Sequence, residues 1–169
     1  GYNYSGPAAI RYPRGEGPGT EILENFDLLE IGKARLINET LSDLVILSFG
    51  NMLDLSMEIA DQINCSLVDM RFIKPLDEEL IEKCAKKYKH IITIEENVIT
   101  GGAGSAVNEY LTKIGYSEKL KIFGIPDEFP IVGSQEDQRD AAGLTKDKIL
   151  ESLASELNLK DLEKKVSAQ

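Results

Sequence analysis

The sequence predicts an α/β fold of three layers, a mostly parallel sheet with helices on both of its faces. Short apolar or β-branched runs alternate along the chain with segments whose apolar residues recur at helical spacing. Leu44–Phe49 is a continuous apolar run, which is typical of a parallel strand buried on both faces. A glycine-rich turn at 101–104 joins a short strand to a helix, and this strand–turn–helix order belongs to the same fold class.

The elements follow one another in a regular order from residue 31. Strands are predicted at 31–37, 44–49, 66–70, 91–94 and 120–125. Helices are predicted at about 52–63, 77–88, 104–114 and 145–157. Asp77 and Thr145 are suited to cap the second and the fourth of these helices. The polar segment 126–143 is predicted to be a long loop.

The chain divides into three parts. Proline and glycine are concentrated in residues 1–30, which predicts an irregular N-terminal arm and linker with one brief strand in the apolar run at 8–10. Residues 31–157 contain the regular elements and are predicted to form one domain, and the charged residues 158–169 are predicted to be a frayed tail. Because the first residues have the composition of a loop interior, we expect this chain to be a piece of a larger protein.

Composition weighs against several classes of function. The net charge of −10 argues against nucleic acid or an anionic membrane as a partner. No apolar run approaches the roughly 18 residues that span a bilayer, and no signal peptide is visible. Cys65 and Cys84 have no paired spacing and no histidine nearby in sequence, so we interpret them as buried thiols in a reducing cytosol and expect a cytoplasmic protein.

The turn at 101–104 raises the question of a phosphate site, since backbone N–H groups at the start of a helix bind anions. Gly102 and Gly104 match the first two glycines of a dinucleotide fingerprint, but Val107 stands in the third place. Two adjacent glutamates before the turn would also repel a phosphate. We therefore favour a turn that packs a helix on the sheet, and a free-standing nucleotide-binding domain is the weakest interpretation.

Three other polar groups have simple structural explanations. His90 is the only histidine, and without a nucleophile motif we interpret it as structural. Asp69 and Arg71 lie at the carboxyl end of a predicted strand, where we favour a local ion pair over a functional pair. The two glutamates and the asparagine at 95–97 could bind a hard cation, but helix capping and loop hydrogen bonds explain them equally well. We assign no catalytic, cofactor-binding or metal-binding residue.

The remaining candidate is the segment Arg11–Gly15. Arg11 and Arg14 flank a Tyr-Pro pair, where Pro13 restricts the backbone and Gly15 allows a tight turn. The planar fork of donors on arginine suits a phosphate group. On the residues alone, a phosphate site and an interdomain salt bridge remain equally open.

Six segments, in this order, are similar to motifs of one known family: 6–15, 68–81, 94–109, 124–129, 133–136 and 142–144. Over about residues 1–157 the chain resembles the 1-deoxy-D-xylulose-5-phosphate synthases, thiamine-diphosphate enzymes of the transketolase superfamily. The resemblance implies the transketolase C-terminal domain fold for 31–157. It assigns residues 1–30 to the tail of the preceding pyrimidine-binding domain and a linker. Many members have a histidine where this chain has Val132, so a polar role for that loop is not expected.

The resemblance also implies a function for the full-length protein. Such enzymes are transferases that condense pyruvate and glyceraldehyde 3-phosphate with loss of carbon dioxide, and the product serves isoprenoid and thiamine biosynthesis. Their thiamine diphosphate and Mg²⁺ are held through a Gly-Asp-Gly motif that this sequence lacks. We therefore expect the cofactors to bind outside this segment, and the segment alone to be inactive and to pack in a homodimer. The resemblance assigns the phosphate of glyceraldehyde 3-phosphate to Arg14, with Arg11 as a weaker neighbour.

Two alternatives remain at this stage. The chain could be the C-terminal domain of a transketolase or of a 2-oxo-acid dehydrogenase β-subunit, although the amino-acid sequences of segments 11–15 and 70–77 favour the synthase. It could also be a free-standing interaction domain without catalysis.

Overall fold

The structure, a computed structural model, describes residues 1, 3–12 and 28–157. Its centre is a five-stranded sheet in the order β1-β3-β2-β4-β5, in which β1 is antiparallel to β3 and the other pairs are parallel. The α/β, mostly parallel fold that the sequence predicts is confirmed. The strands are β1 (Arg35–Asn38), β2 (Leu44–Ser48), β3 (Ser66–Asp69), β4 (His90–Val98) and β5 (Lys119–Ile125).

Helices cover both faces of this sheet. They are α1 (Leu53–Ile63), α2 (Glu78–Lys87), α3 (Ala103–Lys113), α4 (Gln135–Ala141) and α5 (Lys146–Leu157). Buried side chains of α1 and α5 share one core cluster, whereas those of α2 and α3 share the other. The three predicted layers are therefore present, with a separate core on each side of the sheet.

The continuous apolar run of β2 supplies both cores. Leu44 and Ile46 lie in the cluster with α1 and α5, and Val45 and Leu47 lie in the cluster with α2 and α3. This is the alternation expected of a strand, whose successive side chains point to opposite faces. All five residues of β2 are buried because helices cover both faces.

Two predicted boundaries differ from the structure by more than one residue. The first strand begins at Arg35 rather than residue 31, because the chain turns at Gly32, whose backbone has φ +75°. The fourth strand continues to Val98, which pairs with Ile125 beyond an irregularity in the register. The predicted cap of α2 is confirmed, since the Asp77 carboxylate accepts a hydrogen bond from the backbone N–H of Leu80 at 3.1 Å.

The predicted long loop at 126–143 contains the short helix α4. Ser134 and Asp137 form a capping box at its start, each side chain bonded to the backbone of the other residue. None of its residues is buried, so the sequence has no apolar stripe that would reveal it.

The structure describes only part of the N-terminal arm and none of the C-terminal tail. Residues 3–12 contain no helix or strand, so the brief strand predicted at 8–10 is wrong: this short apolar run is exposed and pairs with no strand of the described sheet. Residues 13–27 and 158–169 lie outside the described residues. Within the described part of the chain, the helices are too short or too polar to cross a membrane.

Candidate functional site

Several polar groups lie together at the carboxyl ends of the parallel strands, including three carboxylates singled out in the sequence. Asn51 follows β2, Asp69 ends β3, and Glu95 and Glu96 lie in the last part of β4. In open α/β sheets this edge is where binding sites form. We call it the carboxyl edge of the sheet.

The side chain of Glu95, a residue of β4, reaches the N-terminus of α3. Its carboxylate accepts hydrogen bonds from the backbone N–H groups of Ala103 at 2.8 Å and of Gly104 at 2.7 Å, and the residue is only 2% exposed. These N–H groups are the unpaired donors of a helix N-terminus, which would otherwise attract an external anion. The anion site suggested by the glycine-rich turn is thus filled by the protein's own carboxylate.

The glycines of the turn are required by this close approach. A Cβ atom at Gly102 would lie 2.5 Å from the Glu95 carboxylate and would also meet the carbonyl oxygen of Val98. A Cβ atom at Gly104 would lie 2.6 Å from Thr93 Oγ1. The interpretation of the turn as a packing device is therefore confirmed.

Glu96 points away from the turn and joins β4 to α4. It accepts hydrogen bonds from the side chains of Asn51, Arg139 and Gln135, the last at 3.3 Å. Burial alone would raise the pKa of Glu96, but the hydrogen bonds from Arg139 and Asn51 and the charge of Arg139 hold it below its ordinary value. Its carboxylate is therefore ionised and held by donors at neutral pH.

These contacts account for the two carboxylates of the cluster at 95–97. Glu95 faces backbone donors and Glu96 faces side-chain donors. Among residues 1, 3–12 and 28–157, no three His, Cys, Asp or Glu side chains are grouped to hold a metal ion.

Asp69 and Arg71 form the local ion pair that the sequence suggests, with 3.5 Å between Asp69 Oδ2 and Arg71 Nε. Arg35 adds a second contact to the same carboxylate at 3.5 Å. His90 lies at the other end of β4, far along the strand from the carboxyl edge, and burial and the charge of Lys119 lower its pKa. Its position agrees with a structural role.

The structure describes only one of the two arginines assigned to substrate binding. Arg11 is exposed on the irregular arm. Arg14 lies outside the described residues, so its phosphate contact stays a prediction.

Arg139, Gln135 and Asn51 are the polar residues that sequence reasoning missed. They come from two separate segments, since Asn51 follows β2 and the other two lie on α4, and only folding brings them to Glu96. The capping signal of Ser134 with Asp137 could have located α4, and with it the arginine of its last turn. A cavity of about 240 Å³ beside Glu96 and Arg139 extends to Ile125 and Leu144.

The cluster contains carboxylate, amide and guanidinium groups but no nucleophilic side chain. Its polar groups are already paired with one another, which suits them to position α4 rather than to react.

Comparison with known proteins gives the family. The sequence model described as "Transketolase, C-terminal domain" matches residues 32–149. The chain belongs to the transketolase C-terminal domain family. This transketolase C-terminal domain is also similar to a solved structure, "Split gene transketolase, inactive beta4 tetramer", with a TM-score of 0.70 and 28% identity over 78% of this chain and 44% of that one.

Curated relatives define the resemblance further. The chain is 43% identical over 95% of its length to a 1-deoxy-D-xylulose-5-phosphate synthase from Francisella philomiragia, and 44% identical over 94% to that of Pseudoalteromonas translucida. It covers 26% and 25% of those proteins, in their C-terminal portion. The resemblance to this family is confirmed, and the chain spans about a quarter of the length of the relatives it matches.

Proposed function

We propose that this chain is the C-terminal segment of a 1-deoxy-D-xylulose-5-phosphate synthase. The observation that supports this most directly is the 43% identity with a named synthase over 95% of the chain. The full-length cytoplasmic enzyme would condense pyruvate with glyceraldehyde 3-phosphate, release carbon dioxide and give the precursor of isoprenoids and thiamine. The segment alone would be inactive and would pack and orient the other domains.

The described residues do not fit the cofactor of such an enzyme. A diphosphate–Mg²⁺ pair needs free anion donors and acidic ligands. The donors at the start of α3 are bonded to Glu95, and the described ranges hold no grouped metal ligands. We therefore propose that thiamine diphosphate and Mg²⁺ bind to upstream domains, and we derive no catalytic step through them from this chain.

Arg14 is the proposed contact of this chain with substrate. In the segment Arg11–Gly15, its guanidinium would bind the phosphate of glyceraldehyde 3-phosphate, for which the arginine fork is well suited. Arg11 would contribute more weakly, as an exposed neighbour of the same charge.

Steady-state kinetics of the intact enzyme test the role of Arg14. Arg14→Ala should raise KM for glyceraldehyde 3-phosphate by roughly tenfold to a hundredfold, because a charge-assisted hydrogen bond contributes about 1.5–3 kcal/mol. KM for pyruvate should change little, and Arg11→Ala serves as the matched control with a smaller effect. Equal increases in both KM values would remove the phosphate-binding role.

A homodimer is proposed as the assembly. The similar transketolase structure is named as a tetramer, which supports assembly of more than one copy but does not specify two. Because that neighbour is a transketolase, a transketolase activity is the second candidate. Assays of the intact protein with pyruvate and with ketose phosphates separate the two reactions.

A further inference from the structure

Two apolar patches are exposed at the carboxyl edge of the sheet. The loop patch, at the end of β5, consists of Phe129, Ile131 and Val132, with Phe129 at 103% and Val132 at 104% relative exposure. The linker-side patch consists of Ile31 and Ile73, each more than half exposed. Scattered exposed apolar residues are ordinary, but grouped ones at one edge mark an interaction surface.

The loop patch is held in place by α4 instead of folding onto the core. Gln138 on α4 donates a hydrogen bond from Nε2 to the carbonyl oxygen of Ile131 at 3.1 Å. The helix itself is tied to β4 through Arg139 and Glu96. Beneath the loop lies a cavity of about 180 Å³ whose lining includes Ile125 and Phe129. These contacts present the apolar side chains of the loop outward on a fixed support.

The linker-side patch lies next to the residues that lead into β1, the first strand of the domain. Gly32 follows Ile31 and lies against the loop after β3, since a Cβ atom there would be 2.9 Å from Pro75 Cγ. A groove of about 650 Å³, lined in part by Ile73, Pro75 and Tyr110, continues from this point. The residues that lead into the domain are thus beside the apolar surface of the β3–α2 loop.

Strand direction places the chain entry into β1 at the carboxyl edge. Because β1 is antiparallel to β3 and Arg35 pairs with Asp69, the start of β1 lies where the parallel strands end. The first and last strands of the sheet are separated by four strand spacings, which amounts to about 19 Å. One domain of about 100 residues, with a radius of gyration near 13 Å, is wide enough to cover both patches.

We propose that the carboxyl edge is the docking surface for the domain that precedes this segment in the intact polypeptide. An apolar surface of that domain buries the loop patch and the linker-side patch together. The proposal rests on the proposed function, under which such a domain exists, and on relatives of which this chain covers about a quarter. A second copy of the chain is a less suitable occupant. The preceding domain is covalently connected at this edge, so its local concentration there is higher.

Hydrogen exchange measured on the 169-residue chain and on the intact polypeptide tests the proposal. In the intact polypeptide, peptides spanning 72–76 and 128–133 should exchange at least about tenfold more slowly than in the short chain. The loop at 39–43 is the internal reference and should exchange equally in both. It lies at the opposite edge, between β1 and β2, and Leu41 within it is 104% exposed.

Matched substitutions identify the contacting side chains. Phe129→Ser and Val132→Ser should remove the additional protection in the intact polypeptide, whereas Leu41→Ser should not. Because all three side chains are fully exposed in the short chain, none of the substitutions should change its own unfolding midpoint. This separates an interface effect from a folding defect.

Two results would overturn the proposal. One is equal exchange at both patches in the short chain and the intact polypeptide. The other is protection that appears in the short chain as its concentration rises, which would assign the surface to a second copy. The substrate assays of the intact enzyme remain independent, so a failure of the proposed reaction is distinguishable from a failure of this contact.

Discussion

Glu95 and Glu96 are adjacent in sequence but have different structural roles. Successive side chains of β4 point to opposite faces of the sheet, so Glu95 faces α3 and Glu96 faces α4. The sequence predicts two carboxylates beside a glycine-rich turn and correctly weighs against a phosphate there. It does not predict that one of them occupies the anion site, because that depends on the spacing between the strand and the helix.

Replacing the buried carboxylate tests this role at the residue scale. Glu95→Gln keeps the shape but sets an NH₂ group against one of the two backbone N–H donors, at Ala103 or Gly104. We expect the free energy of unfolding to fall by about 3 kcal/mol, since a buried charge-assisted contact is lost and a donor is left unpaired. Urea denaturation measures the change.

Glu109→Gln is the matched control for this substitution. Glu109 lies on the exposed side of the same helix, so its replacement should change stability by less than about 0.5 kcal/mol. Similar losses for both variants would show that Glu95 does not stabilise the start of α3.

At the scale of elements, α4 shows the limit of periodicity as a predictor. Long elements such as α1 are predicted because their apolar stripe fills a core. The seven residues of α4 have no buried stripe, and the helix is held by a capping box and by the contact of Arg139 with Glu96. Contacts of this kind, between residues 43 apart, leave no periodic signal in the sequence.

Glu96→Gln tests how β4 holds α4. At pH 7 we expect a loss of about 1 kcal/mol, which allows for the partial exposure of the Glu96–Arg139 pair. Because the folded pKa of Glu96 is lowered, its contribution is present above the ordinary glutamate pKa of about 4.3 and is lost as pH falls through the folded value. Unfolding of both proteins from pH 7 to acid measures this difference.

Glu58→Gln provides the comparison, because Glu58 pairs with Lys146 at 3.3 Å on the exposed surface. It should cost less than about 0.5 kcal/mol at any pH. A Glu96 variant whose deficit stayed constant down to the acid transition would contradict the proposed ionic role.

At the scale of the whole molecule, the alternation of strands and helices predicts the layers but not the order of the strands. Buried runs such as Leu44–Ser48 indicate a parallel sheet, and right-handed crossovers restrict its topologies. The position of β3 between β1 and β2 depends on the face of the sheet on which each connecting helix packs. The short apolar stripes of these helices do not specify that face. The role of Arg14 is likewise not predictable from residue patterns alone, because it depends on domains beyond this chain.

The two cysteines report on the unfolding of the whole domain. Cys65 and Cys84 lie in different core clusters, and burial raises the pKa of Cys65 to about 12 and that of Cys84 to about 11. An aromatic disulfide reagent at pH 8 should therefore label the native protein at least about a thousandfold more slowly than the unfolded chain. Cys65→Ala and Cys84→Ala each leave one thiol as a reporter of its own core.

We expect the two thiols to react at the same rate, because β2 and β4 contribute to both cores and should open both together. Mass spectrometry of labelled protein over time measures each rate. A thiol that reacts well before the other would show that one layer opens independently.

The Glu95 carboxylate is a tethered anion, and its local concentration at the start of α3 is fixed by the chain rather than by the surroundings. A helix that depended on a bound phosphate would gain or lose order with the supply of that ion. Here the turn and the helix keep the same arrangement at any phosphate level. In an enzyme whose proposed acceptor carries a phosphate, this turn would not compete with the active site for substrate.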